Sequence, residues 1–304
     1  MLRDQFLQHG QTQKNFSLHT LEAYRHDLGE LAEYLALQGK VAGIDSREAV
    51  QQVTHKHLRS WLAALMKSGL SPRSVARKLA SVKSFFGYLH RQQILDANPA
   101  ERVQTPRFSK KLPAFVPEKE LSKLLDDIPF PQDFEGIRDR CILELLYGCG
   151  IRRAELISLK MSDIDLYTQQ LKVRGKGNKD RIVPFGKAVA KALAAYSDAR
   201  KQLGYEQKST LILRKNGDSA YPALIQRVLY KYLSLIDAPK QKSPHVLRHS
   251  YATHLLDGGA DLQAIKELLG HSSLAATQVY THHSLARLKN IHTQAHPRSE
   301  TDKD

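Results

Sequence analysis

Within the stretch SPHVLRHSYATHLLDGGADLQAIKELLGHSSLAATQVY, residues 243–280, two of the four histidines, the one arginine and one of the two tyrosines each stand beside a signal for a helix end. Ser243-Pro244 predicts a helix start, because the hydroxyl can cap a free amide and proline at the first helical position gives up no hydrogen bond. His245 and Arg248, three residues apart, then share one face of the first turn, where free amides and the helix dipole favour an anion. Gly258 and Gly259 end that helix, Asp261 can cap a second through Leu262, Ile265, Leu268 and Leu269, and Gly270 ends it in turn. His271 therefore falls at a helix exit. Ser273 can cap a third, short helix that carries Tyr280. Together these groups suit a phosphate. Each also has an ordinary reading, histidine as a cap or surface group and tyrosine as half-buried packing. His245 and His249 have the spacing of a helical metal pair, but Val246 stands where a glutamate base would be needed, so no metal is expected.

Two further clusters lie upstream. In LLYGCGIRRAELISL an apolar helical pattern through Leu145, Leu146, Ile151, Leu156 and Leu159 is interrupted at Gly148 and Gly150, and Arg152, Arg153 and Glu155 fall where a new helix begins. An arginine there can fork onto two phosphate oxygens, or the two can sit exposed and pair with Glu155. In QLKVRGKGNKDRIVPF the apolar residues Leu171, Val173, Ile182, Val183 and Phe185 flank the Gly177-Asn178 turn, which predicts a β-hairpin with Lys176 at or beside its tip. The lysine can reach into a neighbouring cleft or simply be solvated.

Taken together, GIRRAEL, GKGNKDR, HVLRHSYATHLL and LLGHSSLAATQVYTH, with the SLHTLEAYRHDL opening and the NPA turn, make the chain resemble the tyrosine recombinases of the phage integrase superfamily. Within that superfamily it is most similar to the chromosome-dimer resolvases of the XerC and XerD type, and the closing AHPR segment leans toward XerC. The resemblance runs the whole length. It maps the first catalytic arginine onto Arg152, the hairpin lysine onto Lys176, the HxxR pair onto His245 and Arg248, the LGH histidine onto His271 and the nucleophile onto Tyr280. Arg153 stands where the family often has a small or apolar residue, and is read as an extra phosphate contact.

The resemblance implies attack of Tyr280 on a DNA phosphodiester, giving a 3′-phosphotyrosyl link that stores the bond energy, so that neither ATP nor a metal nor any other cofactor is required. A phenol with a pKa near 10 needs positive charge and a proton acceptor nearby, and His245 is the expected base. Arg152 and Arg248 would clamp the non-bridging oxygens, His271 would add a hydrogen bond, and Lys176 would protonate the departing 5′-hydroxyl. The implied partners are a double-stranded DNA recombination site, a homo- or heterotetramer with a related XerD-like recombinase, and an FtsK-like DNA translocase. The implied role is resolution of chromosome or plasmid dimers at cell division, with a mobile-element integrase as the alternative.

Composition agrees with a polyanionic partner: 46 Lys and Arg against 31 Asp and Glu give a formal charge of +15, with an isoelectric point near 9.7. At 304 residues and 41% hydrophobic content two domains are expected. The expected fold class is mainly α: a helical, SAM-like core-binding domain over 1–103, a linker over 104–114 and a mixed α/β catalytic domain with a small sheet over 115–304, closing on an interaction helix. In the first domain Ser17 caps a helix with Leu21, Tyr24, Leu28, Leu31 and Leu35 inward, and Ser71-Pro72 starts another with Val75, Leu79, Val82, Phe85 and Phe86 inward. Arg73 and Arg77, four apart on the latter, read either as DNA-backbone contacts or as a solvated face, and the resemblance favours DNA. Cys141 and Cys149 fit no metal or redox spacing and are expected to pack as small apolar groups in a reduced cytoplasm. The start MLRDQFLQHG lacks an apolar signal region, and no run approaches a membrane span, so export and insertion are not expected. After Tyr280, Leu285, Leu288 and Ile291 form a narrow apolar stripe, buried either in its own domain or, as the resemblance suggests, on a neighbouring protomer.

Overall fold

The computed structural model describes residues 1–39, 41–107, 114–175, 180–270 and 282–299, with side chains in the last segment from residue 288 onward. The chain divides into two compact units, Met1–Lys111 and Leu112–Asp304. The division lies within the proline- and lysine-containing run 104–114.

The first unit is all helical: α1 Leu2–Thr12, α2 Leu18–Leu37, α3 Arg47–Gln52, α4 His55–Lys67 and α5 Pro72–Arg91. The starts of the two long helices follow from their caps. The Ser17 hydroxyl accepts from the Thr20 amide at 3.2 Å, and Ser71 accepts from the Ser74 amide at 3.2 Å, with Pro72 opening α5. The apolar stripes meet in one core of Leu28, Leu31, Leu35, Trp61, Val75, Leu79, Val82, Phe85 and Phe86. One acid lies among them. Asp27 on α2 is fully buried and accepts both arms of Arg77, at 2.6 and 2.8 Å, together with Lys78 at 3.2 Å and the Ser81 hydroxyl at 2.6 Å. Burial pushes its carboxyl up, but these donors outweigh burial and hold it below the ordinary aspartate range.

The second unit is built around α7, Phe134–Gly148, which is buried nearly all round from Arg138 to its end, as suits a helix covered on every side. Before it, α6 Glu118–Ser122 runs into a π-helical turn, Lys123–Asp127. After it come α8 Arg153–Ser158 and a three-stranded antiparallel sheet in the order β1 Ile164–Asp165, β2 Gln170–Arg174, β3 Asp180–Pro184. The register pairs Val173 with Arg181 and Leu171 with Val183, so Leu171, Val173 and Val183 face the core. The remaining helices are α9 Lys187–Gln202, α10 Pro222–Leu233, α11 Pro244–Asp257, α12 Leu262–Leu269 and α13 His282–Ala295. Cys141 and Cys149 are both fully buried and burial pushes their thiols up, in keeping with packing as apolar groups. Among the described residues no helix is long and apolar enough to cross a membrane.

The segment from Leu288 onward packs in cis. Leu288 is buried and Ile291 half-buried against the core of its own unit, and the His292 ring donates to the Gly148 carbonyl at 3.0 Å. His292 and His296 stack with centroids 5.0 Å apart, beside Tyr147 and Tyr251. Arg298 closes the segment with an Nη1 fork onto Asp126, at 2.6 and 2.7 Å, and bonds to Glu144. Of the two readings of this stripe, burial in its own domain describes its part from residue 288 onward, which packs against α11, α12 and β3. Leu285 lies outside the described side chains.

Candidate active site

α11 begins at Ser243-Pro244 as expected, but the cap differs from the expectation. The Ser243 hydroxyl is buried and makes no cap bond; its carbonyl, at 2.9 Å, takes the Val246 amide instead. His245 and Arg248 lie three residues apart on the helix, His245 exposed and Arg248 buried. Arg248 Nη1 donates to the Gly150 carbonyl at 2.6 Å and Nη2 to the Leu269 carbonyl at 2.5 Å. Burial, and then the charge of Arg152, lower its pKa to about 10, so the group remains a cation at neutral pH.

The start of α8 holds the second arginine. Gly150 sits at φ +58°, and a Cβ there would come within 2.4 Å of the Tyr251 ring, so both conformation and space call for glycine. Two residues on, Arg152 donates its backbone amide to Glu155 at 2.7 Å and its side chain to the same carboxylate at 2.7 Å. The pairing considered from sequence is present, yet it is no solvated pair. Glu155 is 5% exposed, and its two oxygens also accept both arms of the buried Arg181, at 2.8 and 2.9 Å. Burial pushes this carboxyl up; the hydrogen bonds and charge of Arg181, aided by Arg152, overcome it and bring it down to about 2. Arg153 is exposed beside the cluster.

α12 supplies the third side. The Asp261 carboxylate caps it, accepting from the Gln263 and Ala264 amides at 2.8 and 3.0 Å, and Gly270 ends it in the left-handed region at φ +63°. Its final carbonyls meet three arginines in succession: Leu268 accepts from Arg181 Nε at 3.0 Å, Leu269 from Arg248, and Gly270 from Arg152 Nη2 at 3.3 Å. Cations at a helix C-terminus are favoured by its dipole. The chain then passes directly into His271. His271 and Tyr280, the helix expected to start at Ser273, and Lys176 lie outside the described residues. β2 and β3 pair up to Arg174 and Asp180 on either side of residues 175–179.

Of the expected site residues, the structure thus brings Arg152 and Arg248 together at the end of α12 and leaves His245 exposed on α11. In the first unit Arg73 is exposed in the first turn of α5, whereas Arg77 is half-exposed and forks onto Asp27. Sequence reasoning missed Arg181 and the central place of Glu155. The signal was there: strand alternation puts Arg181 on the face of Val183, and an arginine facing inward must find a carboxylate. What results is three guanidinium groups and one carboxylate gathered at a single helix end, with Arg152 34% exposed. Such a surplus of fixed donors can hold a tetrahedral anion.

Among known proteins, the Phage integrase family profile matches residues 114–287, and the profile described as Phage integrase, N-terminal SAM-like domain matches residues 4–93. A tyrosine recombinase XerC from Chlorobaculum parvum is 42% identical, over 96% of this chain and 93% of that protein. Another XerC, from Syntrophus aciditrophicus, is 40% identical over 94% of each chain. In fold the chain is similar to the XerH site-specific recombinase bound to palindromic difH substrate in a post-cleavage complex, with a TM-score of 0.70 and 21% identity, covering 96% of this chain and 84% of that one. By both its profile matches and its relatives, this chain belongs to the phage integrase family of tyrosine recombinases.

Proposed function

We propose that this chain is a site-specific DNA recombinase that cuts and rejoins strands through Tyr280. The observation that carries the reading is the meeting of Arg152 and Arg248 at the carbonyl end of α12, one residue before His271. In this reading the two guanidiniums neutralise charge on the non-bridging oxygens of the scissile phosphate, and His271 donates to the same group. The Tyr280 oxygen forms a bond to phosphorus as its proton passes to His245. The bond from phosphorus to the 5′ oxygen breaks, and Lys176 gives that oxygen its proton. Reversal with a different 5′-hydroxyl rejoins the strands.

Arg73 and Arg153, both exposed, would contact the DNA backbone, and the exposed part of Arg77 would join them. Residues 104–114 would link a core-binding domain to the catalytic one in a cytoplasmic protein. The relatives named XerC favour resolution of chromosome or plasmid dimers at cell division. Action on two sites would require four protomers, of this chain alone or with a related XerD-like recombinase, under the control of an FtsK-like translocase.

The test begins by recovering bound duplexes from a random-sequence pool and placing a nick near the cut site to trap the intermediate. The wild type is expected to become covalently attached in EDTA. Tyr280→Phe is expected to bind with unchanged affinity and form no adduct. An adduct with the phenylalanine variant removes Tyr280 as nucleophile, and absence of any wild-type adduct removes the recombinase reading.

A further inference from the structure

We propose that Arg181 is a positioning residue for DNA cleavage, one that fixes Arg152 and the chain entering His271 in a single frame. The inference rests on the recombinase reading above. Arg181 is 5% exposed and has no route to a substrate phosphate from its place under the sheet. Its donors are instead spent on two elements at once: both arms hold Glu155, and Nε holds the Leu268 carbonyl. Glu155 in turn grips Arg152 by backbone and side chain. The end of α12 also lies against the stem of Arg181, since a Cβ placed on Gly270 would come within 3.1 Å of Arg181 Cδ.

A shared carboxylate therefore sets where Arg152 points, and Arg181 sets where that carboxylate sits relative to α12. Lysine cannot replace it. An ammonium is a single point of charge and cannot fork onto Glu155 while also reaching Leu268. In the Arg181→Lys variant the cluster keeps its charge and loses its geometry. Displacement of a phosphate clamp by about 1 Å is enough to slow a positioned reaction by about 100-fold.

The experiment compares wild type, Arg181→Lys and Glu155→Gln at saturating protein, by release of the 5′-hydroxyl strand from the nicked duplex recovered above. Each protein is assayed below its measured melting temperature. Two substrates are used, one with a normal scissile phosphate and one with a methylphosphonate there, which lacks the charge that Arg152 and Arg248 neutralise. Arg181→Lys is expected to bind the duplex as the wild type does and to cleave the phosphate about 100-fold more slowly. Relative to wild type it should lose no more than about threefold on the methylphosphonate, where clamp placement matters little. A merely structural role changes only the active fraction and lowers both substrates by one factor. Equal losses, a loss confined to binding, or no loss overturns the proposal. Should Arg181→Lys fail to fold, Glu155→Gln carries the same expectation: the side chain keeps its size, but the amide nitrogen cannot accept from the arginines on its side of the fork. A wild type that cleaves neither duplex is a failure of the recombinase reading, distinct from variants that cleave as well as wild type.

Discussion

Arg298 and Glu144, 154 residues apart in sequence, form a buried ion pair in which the guanidinium is 4% and the carboxylate 1% exposed. Burial pushes Glu144 up more than Arg298 pulls it down, while the paired carboxylates outweigh burial at Arg298 and hold its pKa above the ordinary value. Removing Arg298 leaves the Glu144 carboxyl desolvated and without its partner. Arg298→Met is expected to lower the stability of the second unit by about 3–5 kcal/mol, measured by denaturant unfolding. Truncation after Ser284 removes Leu288, His292 and Ala295 as well, and should lower the melting temperature further. A truncated protein as stable as the full chain would contradict the cis packing of this segment.

The stacked His292 and His296 predict acid sensitivity. Burial lowers His292 to about 4; burial and the neighbouring histidines and Arg298 hold His296 well below the ordinary histidine value. A histidine depressed in the folded state binds fewer protons there than in the unfolded chain. Stability is therefore complete above about pH 6.5 and falls as the pH drops toward 4, by about 3 kcal/mol for His292 alone. His292→Gln, which can still donate to the Gly148 carbonyl, is expected to flatten the fall. Melting temperatures between pH 7.5 and 4.5 check this.

Asp27 predicts a stability effect in the other unit. Asp27→Ala leaves Lys78, only 7% exposed, with a weakened set of acids, and is expected to cost about 3–5 kcal/mol. Arg77→Ala should weaken the fold through the same contact, so any loss of DNA binding by that variant has to be compared with its unfolding curve. Arg73→Ala, by contrast, should leave stability within about 0.5 kcal/mol and lessen the salt dependence of binding.

Lys176 is expected to matter for the leaving group alone. Lys176→Ala should cleave normal DNA about 10²–10⁴-fold more slowly and recover most of that loss when the bridging 5′ oxygen is sulfur, which departs without an acid. Equal impairment on both substrates would assign the lysine to phosphate binding instead.

Local chemistry was legible in the sequence because its causes lie within one turn. Asp261 and Gly270 bound α12 through their own backbone neighbours, and Ser17 and Ser71 start α2 and α5 in the same way. The inward stripes of those helices follow from periodicity alone. The partner of each buried charge was not legible, since Asp27 finds Arg77 at a separation of 50 residues, Glu155 finds Arg181 at 26 and Glu144 finds Arg298 at 154. Such pairings are decided by which elements the cores bring together. Ser243 shows the limit at short range, where the residue was right and the bonding atom was its carbonyl.

The three arginine bonds at the end of α12 make its length a fixed quantity. Each residue of a helix turns the chain by about 100° and advances it by about 1.5 Å, so one residue inserted between Asp261 and Leu268 would carry all three carbonyls away from their arginines in a single step. The exposed side chains of Leu262 and Gln263 can vary freely by comparison. Lineages of this chain should therefore show exchange along the outer face of α12 but no insertion or deletion within it.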